Sequence, residues 1–343
     1  MVRHPHSAAH RHQGPRRQFG VLRLALAALA CLAGAAAARA EPARPFLAYQ
    51  ASWYEPPAQD GAATTLARLP AALTHVALAF VKPDLAYTGG LELAGTGLQY
   101  PFSGAVLKDA IAALKARAPA TRVLLAVGGA TYGGWDRLDT GALARLVTDL
   151  GADGVDIDYE PTQPACLIRT GWVACASDAT FISLVRRLRD ALPRPYILSI
   201  AGWSVGAYGE GAFANAPPPS PWRGSMIALL RAPEAAMLDL VAIMSYDAGP
   251  HYQPLEAFRA YRSLWKGPLA LGIPVLPPTQ GEKRVTLAGT AALMAALKPD
   301  PLGGAMLYAL NLTPPGPPGP DNPDASALTT AICIGLELEG CTP

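Results

Sequence analysis

From residue 41 onward the chain alternates between two hydrophobic patterns. Short apolar or β-branched runs occur at Phe46 to Trp53, Leu73 to Val81, Arg122 to Val127, Gly154 to Glu160, Tyr196 to Ala201, Leu240 to Tyr246, Leu269 to Pro274 and Gly304 to Leu310. Near-continuous runs of this length predict strands buried on both faces. Helical stretches fall between and after them, clearest at Ser103 to Arg117, Gly141 to Leu150 and Asp178 to Leu192, with Ser177 or Asp178 placed to cap the last. Alternating strands and helices predict βα units on a parallel sheet, and eight strands in a chain of this size predict a single (β/α)8 TIM barrel. A doubly wound fold would want a Gly-rich phosphate turn after an early strand, and none occurs there. Thr313 to Asp324 is rich in Pro and Gly and reads as the loop after the last strand, followed by a closing helix at Ala325 to Ile334.

The pattern before residue 41 is different. A basic start, an apolar run from Val21 to Ala38 and the small-residue sequence Ala38-Arg39-Ala40 predict an export signal at 1–40, cleaved after Ala40. An apolar run of this length is borderline for a membrane span, but it is mostly Ala and ends in a cleavage site, so no stable anchor is expected. The mature protein, one domain at 41–343, is then secreted or periplasmic. Arg16-Arg17-Gln18-Phe19 leaves twin-arginine export open beside the general route. Cys31, at the end of Ala28-Leu29-Ala30, is a poor lipoprotein match.

Composition sharpens this. Hydrophobic residues make up 51% of the 343 and charged residues 16%, which argues against a disordered or electrostatically driven binding protein. The formal charge of +2 comes from the leader, which holds six of the 28 basic residues and no acidic one, so the remainder has 22 against 26. An acidic body without a basic stripe gives no reason to expect a nucleic-acid partner. Removing Cys31 leaves Cys166 with Cys175 and Cys333 with Cys341, two pairs close in sequence, which read as loop-closing disulfides in an exported protein. Spacings of nine and eight residues match no common zinc arrangement, and only His75 and His251 lie outside the leader, so no metal is expected.

The chemistry concentrates in Asp153-Gly154-Val155-Asp156-Ile157-Asp158-Tyr159-Glu160. Strict alternation sends Asp156, Asp158 and Glu160 to one face of a strand and Val155, Ile157 and Tyr159 to the other. In a barrel the acidic face looks inward, where three carboxylates cannot all ionise cheaply, so proton sharing and at least one raised pKa are expected. A raised carboxyl is how a general acid is made. Glu160, last in the row, emerges at the C-terminal mouth, where barrel enzymes place their chemistry. A calcium loop would need a hydrated turn with Gly at its sixth position, not Val155 and Ile157 followed by Pro161.

The octet resembles the D-G-x-D-x-D-x-E signature of glycoside hydrolase family 18, the chitinases and related endo-β-N-acetylglucosaminidases. Further segments are similar in the family's order: Tyr49 to Trp53 to its first strand, Leu73 to Phe80 to its second, and Leu124-Leu125-Ala126-Val127-Gly128-Gly129 to its third. Ile243-Met244-Ser245-Tyr246-Asp247 resembles the sixth-strand M-x-Y-D motif, Leu271 to Pro274 the seventh strand and Gly303 to Met306 the eighth. Two positions depart from it: Ala126 stands where the family usually has Ser, and Tyr308 where it usually has Trp.

The resemblance implies a retaining, substrate-assisted glycosidase with no cofactor, in which the substrate's acetamido oxygen is the nucleophile. Glu160 would protonate the leaving oxygen, Asp158 would accept from the acetamido N–H, Asp156 would share the proton of Asp158, and Tyr246 would donate to the acetamido carbonyl. Substrate contacts would come from Asp247, Met244, Tyr308, Trp53, Trp203 and Asp153. Of the aromatics beyond strand ends, Trp53 and Trp203 are favoured over Trp135, Trp222 and Tyr252 as sugar platforms, while Tyr208 and Phe213 read as a flap or loose loop. The implied partner of this monomer is chitin or another N-acetylglucosamine oligosaccharide. Alternatives on the same fold are action on N-glycan cores or peptidoglycan, and a non-catalytic lectin, in which the acid Glu is typically lost. The stretch between the seventh and eighth strands leaves no room for the α+β domain that some members insert there.

Overall fold

A computed structural model describes residues 44–341 except 170, 278, 280 and 282. The expected leader lies outside the described residues. Eight parallel strands close into a barrel: β1 (Phe46–Ala51), β2 (His75–Val81), β3 (Arg122–Gly128), β4 (Gly154–Asp158), β7 (Ile197–Trp203), β8 (Leu240–Met244), β9 (Leu269–Pro274) and β10 (Gly303–Tyr308). All eight expected strands are present. They are almost wholly buried because helices cover the outside and side chains fill the inside.

Seven α-helices lie among the described residues: α1 (Gly104–Arg117), α2 (Thr140–Leu150), α3 (Asp178–Ala191), α4 (Ile227–Arg231), α5 (Pro254–Leu264), α6 (Leu287–Leu297) and α7 (Ala325–Gly335). Ser103, Asp139, Thr286 and Asp324 each accept a backbone N–H in the first turn of the helix that follows, satisfying a donor that the helix itself cannot. Ser177 and Asp178 depart from expectation. Ser177 makes no side-chain cap, and Asp178 instead accepts from Cys175 N at 2.8 Å, turning away from its own helix. Two short 3-10 turns, Gly61–Ala63 and Leu66–Arg68, stand where a helix would join β1 to β2. Residues 275–302 carry α6 alone among their described residues, so no inserted α+β domain walls that side.

The segment after β4 holds an element that periodicity did not reveal. Cys166 and Cys175 do not close a plain loop. They are opposite partners in an antiparallel hairpin, β5 (Cys166–Arg169) and β6 (Trp172–Cys175), and are disulfide-bonded to each other. Four-residue strands are too short to show an alternation above noise. The second bridge, Cys333–Cys341, ties the end of α7 to the chain beyond it. Tyr208 and Phe213 are likewise no loose flap. Tyr208 is fully buried, stacked on Phe213 at 6.3 Å, and the Arg223 guanidinium lies 5.8 Å above its ring while donating to Ala214 O and Ala216 O at 2.6 Å.

Peptide mapping under non-reducing conditions should recover the 166–175 and 333–341 linkages and no cross-pairing. Closing a loop of nine residues stabilises by about 2–3 kcal/mol in the chain-entropy view, so Cys166→Ser with Cys175→Ser should lower urea stability by about that amount. An unchanged midpoint would mean that the hairpin is held by its packing alone.

Candidate active site

The site begins beneath the cleft, at Asp156. Register places Ala126 of β3 on one side of it and Ser199 of β7 on the other. Asp156 is fully buried, and its two oxygens are claimed by hydroxyls: Tyr49 donates to Oδ2 at 2.5 Å and Ser199 to Oδ1 at 2.5 Å. Burial raises the carboxyl's pKa, while the Ser199 and Tyr49 hydrogen bonds favour the anion and pull it back. The hydroxyl that Ala126 cannot supply from β3 thus arrives from β7. Neither Tyr49 nor Ser199 was singled out from sequence, although both occupy strands at positions that can face inward.

One step toward the mouth, Asp158 and Glu160 are within hydrogen-bond reach of each other. Burial is the main reason the Asp158 carboxyl is pushed far above the carboxylate range, and the charges of Glu160 and Asp156 push it the same way. Glu160 is raised to about 7, chiefly by desolvation, with the hydrogen bond from Asp158 opposing and the charge of Asp247 adding. Asp158 therefore holds a proton and points it at Glu160. Its Oδ1 is buried with no hydrogen-bond partner, an acceptor available to a ligand.

Close backbone approach lets Asp158 sit there. Gly128 lies beside it in register and has φ of +107°, and a Cβ at that position would collide with the Asp158 carbonyl and the Trp135 ring. Gly272 does the same for Tyr246, since a Cβ there would lie 3.1 Å from the Tyr246 ring. This is the physical content of the glycines in the third- and seventh-strand segments.

Above the carboxylates opens a cleft of about 810 Å³ lined by Asp158, Glu160, Met244, Tyr246, Asp247 and Tyr308, with Trp203, Trp222 and Pro218–Pro221 along one wall. Burial, then the neighbouring Tyr308, Asp158, Glu160 and Asp247, push the Tyr246 hydroxyl far above its usual pKa, so it stays a donor. The Tyr308 ring stacks on Tyr246 at 5.9 Å and meets Tyr49 edge-on at 5.5 Å, giving the cleft an aromatic floor. Asp247 has φ of +51°, a conformation an Asp tolerates better than most residues, and accepts from Thr279 N at 2.7 Å and Thr279 Oγ1 at 2.8 Å.

The remaining expected residues divide. Trp203 lines the cleft and is stacked on Trp222 at 4.4 Å, and the Trp222 indole is anchored by donating to Pro161 O at 3.0 Å. Trp222 thus belongs to the wall, against expectation. Trp53, 37% exposed at the end of β1, stacks on Phe80, which itself lines the cleft. Trp135 packs edge-on against Tyr159, and Tyr252 is buried against Ser245, so both serve the scaffold. Asp153 is not brought to the cleft. It precedes β4, at the barrel end opposite the mouth, where it pairs with Lys115 at 2.8 Å and accepts from Val123 N at 2.8 Å. Its reason is positional: the first residue of a row that crosses the barrel cannot share a surface with the last. Among the described residues, no group of three or more His, Cys, Asp or Glu is placed to hold a metal ion, and no helix is long and apolar enough to cross a membrane.

With this geometry in view, comparison with known proteins is informative. A chitinase of Plasmodium falciparum (isolate 3D7) is 31% identical over 147 residues, which cover 39% of this chain and 38% of that protein. The chain therefore spans well under half the length of the curated relative it matches. Among solved structures, a chitinase from Pseudoalteromonas aurantia superposes with a TM-score of 0.56 at 20% identity, covering 85% of this chain and all of the other. Catalytic domain 2 of the Ostrinia furnacalis Group II chitinase, in complex with (NAG)5, gives 0.56 at 16% identity over 87% of this chain and 98% of that one. At such identities these likenesses speak for the fold. The model of glycosyl hydrolases family 18 matches residues 46–261, from β1 into α5 and through both the carboxylate row and the M-x-Y-D segment, and the chain belongs to that family.

Proposed function

We propose that this protein is an exported endo-acting glycosidase that cleaves β-1,4-linked N-acetylglucosamine polymers with retention, using the substrate's acetamido group as nucleophile. The observation that carries the reading is the Asp158–Glu160 pair: two carboxyls sharing a hydrogen bond, with one oxygen of Asp158 left unpartnered at the cleft. Glycosidases that use two carboxyl groups separate them by about 5–5.5 Å for a protein nucleophile or about 6.5–9.5 Å for an activated water. A hydrogen-bonded pair is closer than either. The other carboxylate on the cleft, Asp247, is held by Thr279, so the nucleophile is best supplied by the substrate.

The proton then has a simple course. Without substrate, Asp158 carries it and donates toward Glu160. An acetamido N–H aimed at Asp158 needs an acceptor there, so binding favours moving the proton onto Glu160, where it is available to the glycosidic oxygen. Burial, with the charges of Glu160 and Asp156 adding, discourages Asp158 from ionising until the incoming N–H compensates. Tyr246, a donor at all working pH, suits the acetamido carbonyl, and its hydrogen bond strengthens as the oxygen attacks the anomeric carbon. That attack and the later attack by water each invert the centre, giving net retention.

The Ostrinia furnacalis neighbour's (NAG)5 complex supports the substrate class, as does an aromatic floor and wall suited to pyranose faces. The presence of Glu160 weighs against a lectin. Two disulfides support export into an oxidising compartment. The absence of an inserted domain between β9 and β10 leaves the groove open on that side, which supports entry of a chain from the side and cleavage within it.

Glu160→Gln should lower kcat on chito-oligosaccharides by about 10²–10⁴-fold with binding retained, and activity within tenfold of the parent would remove the assignment. In the parent, the general acid must hold its proton in the enzyme–substrate complex, so kcat should fall as pH rises above about 7, where Glu160 loses it. Ser199→Ala leaves the Asp156 carboxyl short of one donor and raises its pKa further. A hydrogen bond is worth about 0.5–1.5 kcal/mol, so kcat should drop about two- to tenfold with KM nearly constant and an altered pH profile, and Ser199→Thr should restore both. A parent-like profile in the alanine variant would show Ser199 to be packing only. Proton NMR of fresh products should show the β-anomer first, and initial α-anomer would exclude the substrate-assisted route.

A further inference from the structure

The β5–β6 hairpin has two unlike faces. Cys166, Ile168, Val173 and Cys175 fall on one, and Leu167, Arg169, Trp172 and Ala174 on the other. The first face is tied down. Val173 is buried against Ile227 and lies so close over Gly209 and Gly224 that neither could carry a Cβ unchanged. Val173 N donates to Glu210 Oε1 at 2.7 Å, and Glu210 in turn pairs with Arg231 at 2.6 Å. The second face is open, with Leu167 59% and Trp172 46% exposed. Ile168, on the opposite face, is also exposed, so three of the seven exposed large hydrophobics among the described residues sit on this one short hairpin, two of them on its open face. Apolar side chains clustered in this way mark a contact surface rather than ordinary scatter.

The hairpin is continuous with the cleft wall. It begins six residues after Glu160, and Trp222, which lines the cleft, donates its indole N–H to Pro161 O on the connecting segment. Gly224, two residues beyond Trp222, is the backbone on which Val173 rests. Disulfide, ion pair and close backbone packing thus hold the open face rigidly beside the wall, so little conformational entropy is lost when it meets a ligand.

We propose that the outward face of the hairpin, carried by Trp172 and Leu167, is a docking surface for the insoluble form of the polymer whose individual chains the cleft cuts. This rests on the substrate reading above. Pyranose rings present apolar C–H faces that stack on an indole, and Arg169 on the same face offers donors to acetamido carbonyls. A self-association interface needs about 1,000 Å² in total. A polymer surface requires no such area. Once a chain is engaged in the cleft, a weak second contact on the same particle acts at high effective concentration.

The test separates the surface from the cleft. In a Glu160→Gln background, adding Trp172→Ala should reduce partition onto crystalline chitin about tenfold, while Trp172→Phe keeps most of it. In the active enzyme, Trp172→Ala should leave kcat/KM on soluble chitohexaose within twofold, which also reports correct folding. Unchanged partition overturns the proposal. So does an equal loss on chitohexaose, which would put Trp172 in the cleft, or a parent dimer in sedimentation that Trp172→Ala dissociates, which would make the face a contact between copies. A parent that fails to cleave chitohexaose fails the substrate reading itself, and that failure appears before any hairpin variant is made.

Discussion

A single buried carboxyl, that of Asp156, anchors the site. Asp156 has both of its oxygens claimed by hydroxyls, from Tyr49 on β1 and Ser199 on β7, which offset part of the rise that burial gives its pKa. A carboxyl in a dry interior is tolerable only with such partners. Above it, burial first and then the charges of Glu160 and Asp156 keep the proton on Asp158, and burial chiefly keeps Tyr246 neutral. The barrel contributes the requirement that makes this possible: strands from different parts of the chain, in strict register, converge their inward residues on one point.

The position of the supporting hydroxyl shows how a polar network can be kept while its parts move. Asp156 has a neighbour in register on each side, and a donor on either can reach one of its oxygens. Ala126 on the β3 side would leave a buried lone pair unsatisfied if Ser199 were not on the other. The cost of that orphan, rather than the identity of the strand, is the constraint.

The loops at the mouth obey a different logic. The wall that carries Trp203 and Trp222 is not a mobile flap but a packed layer, pinned by Arg223 through three backbone carbonyls and by the disulfide hairpin pressing Val173 onto Gly209 and Gly224. Rigidity at this edge keeps an aromatic surface in place without substrate to order it, so binding need not supply that ordering.

Much of this was written in the order of residues. Buried strands are near-continuous apolar runs, and eight of them at βα spacing leave few folds other than a barrel, so every strand was legible. The period-two carboxylate row identified Asp156, Asp158 and Glu160 because a strand's alternation is local and three acids on one face have no bland explanation. What sequence could not supply were relations between strands. Tyr49 and Ser199 look like ordinary core residues until closure of the barrel sets them against Asp156, and Asp153 looks like a member of the site until strand direction puts it at the far end. The hairpin was hidden by its shortness, and Trp222 by a long proline-rich loop whose path depends on what it packs against. Local periodicity thus determined the fold and the row of carboxyls at the cleft, while register and close packing decided which neighbours surround them, because those depend on distances between residues that only the closed barrel brings together.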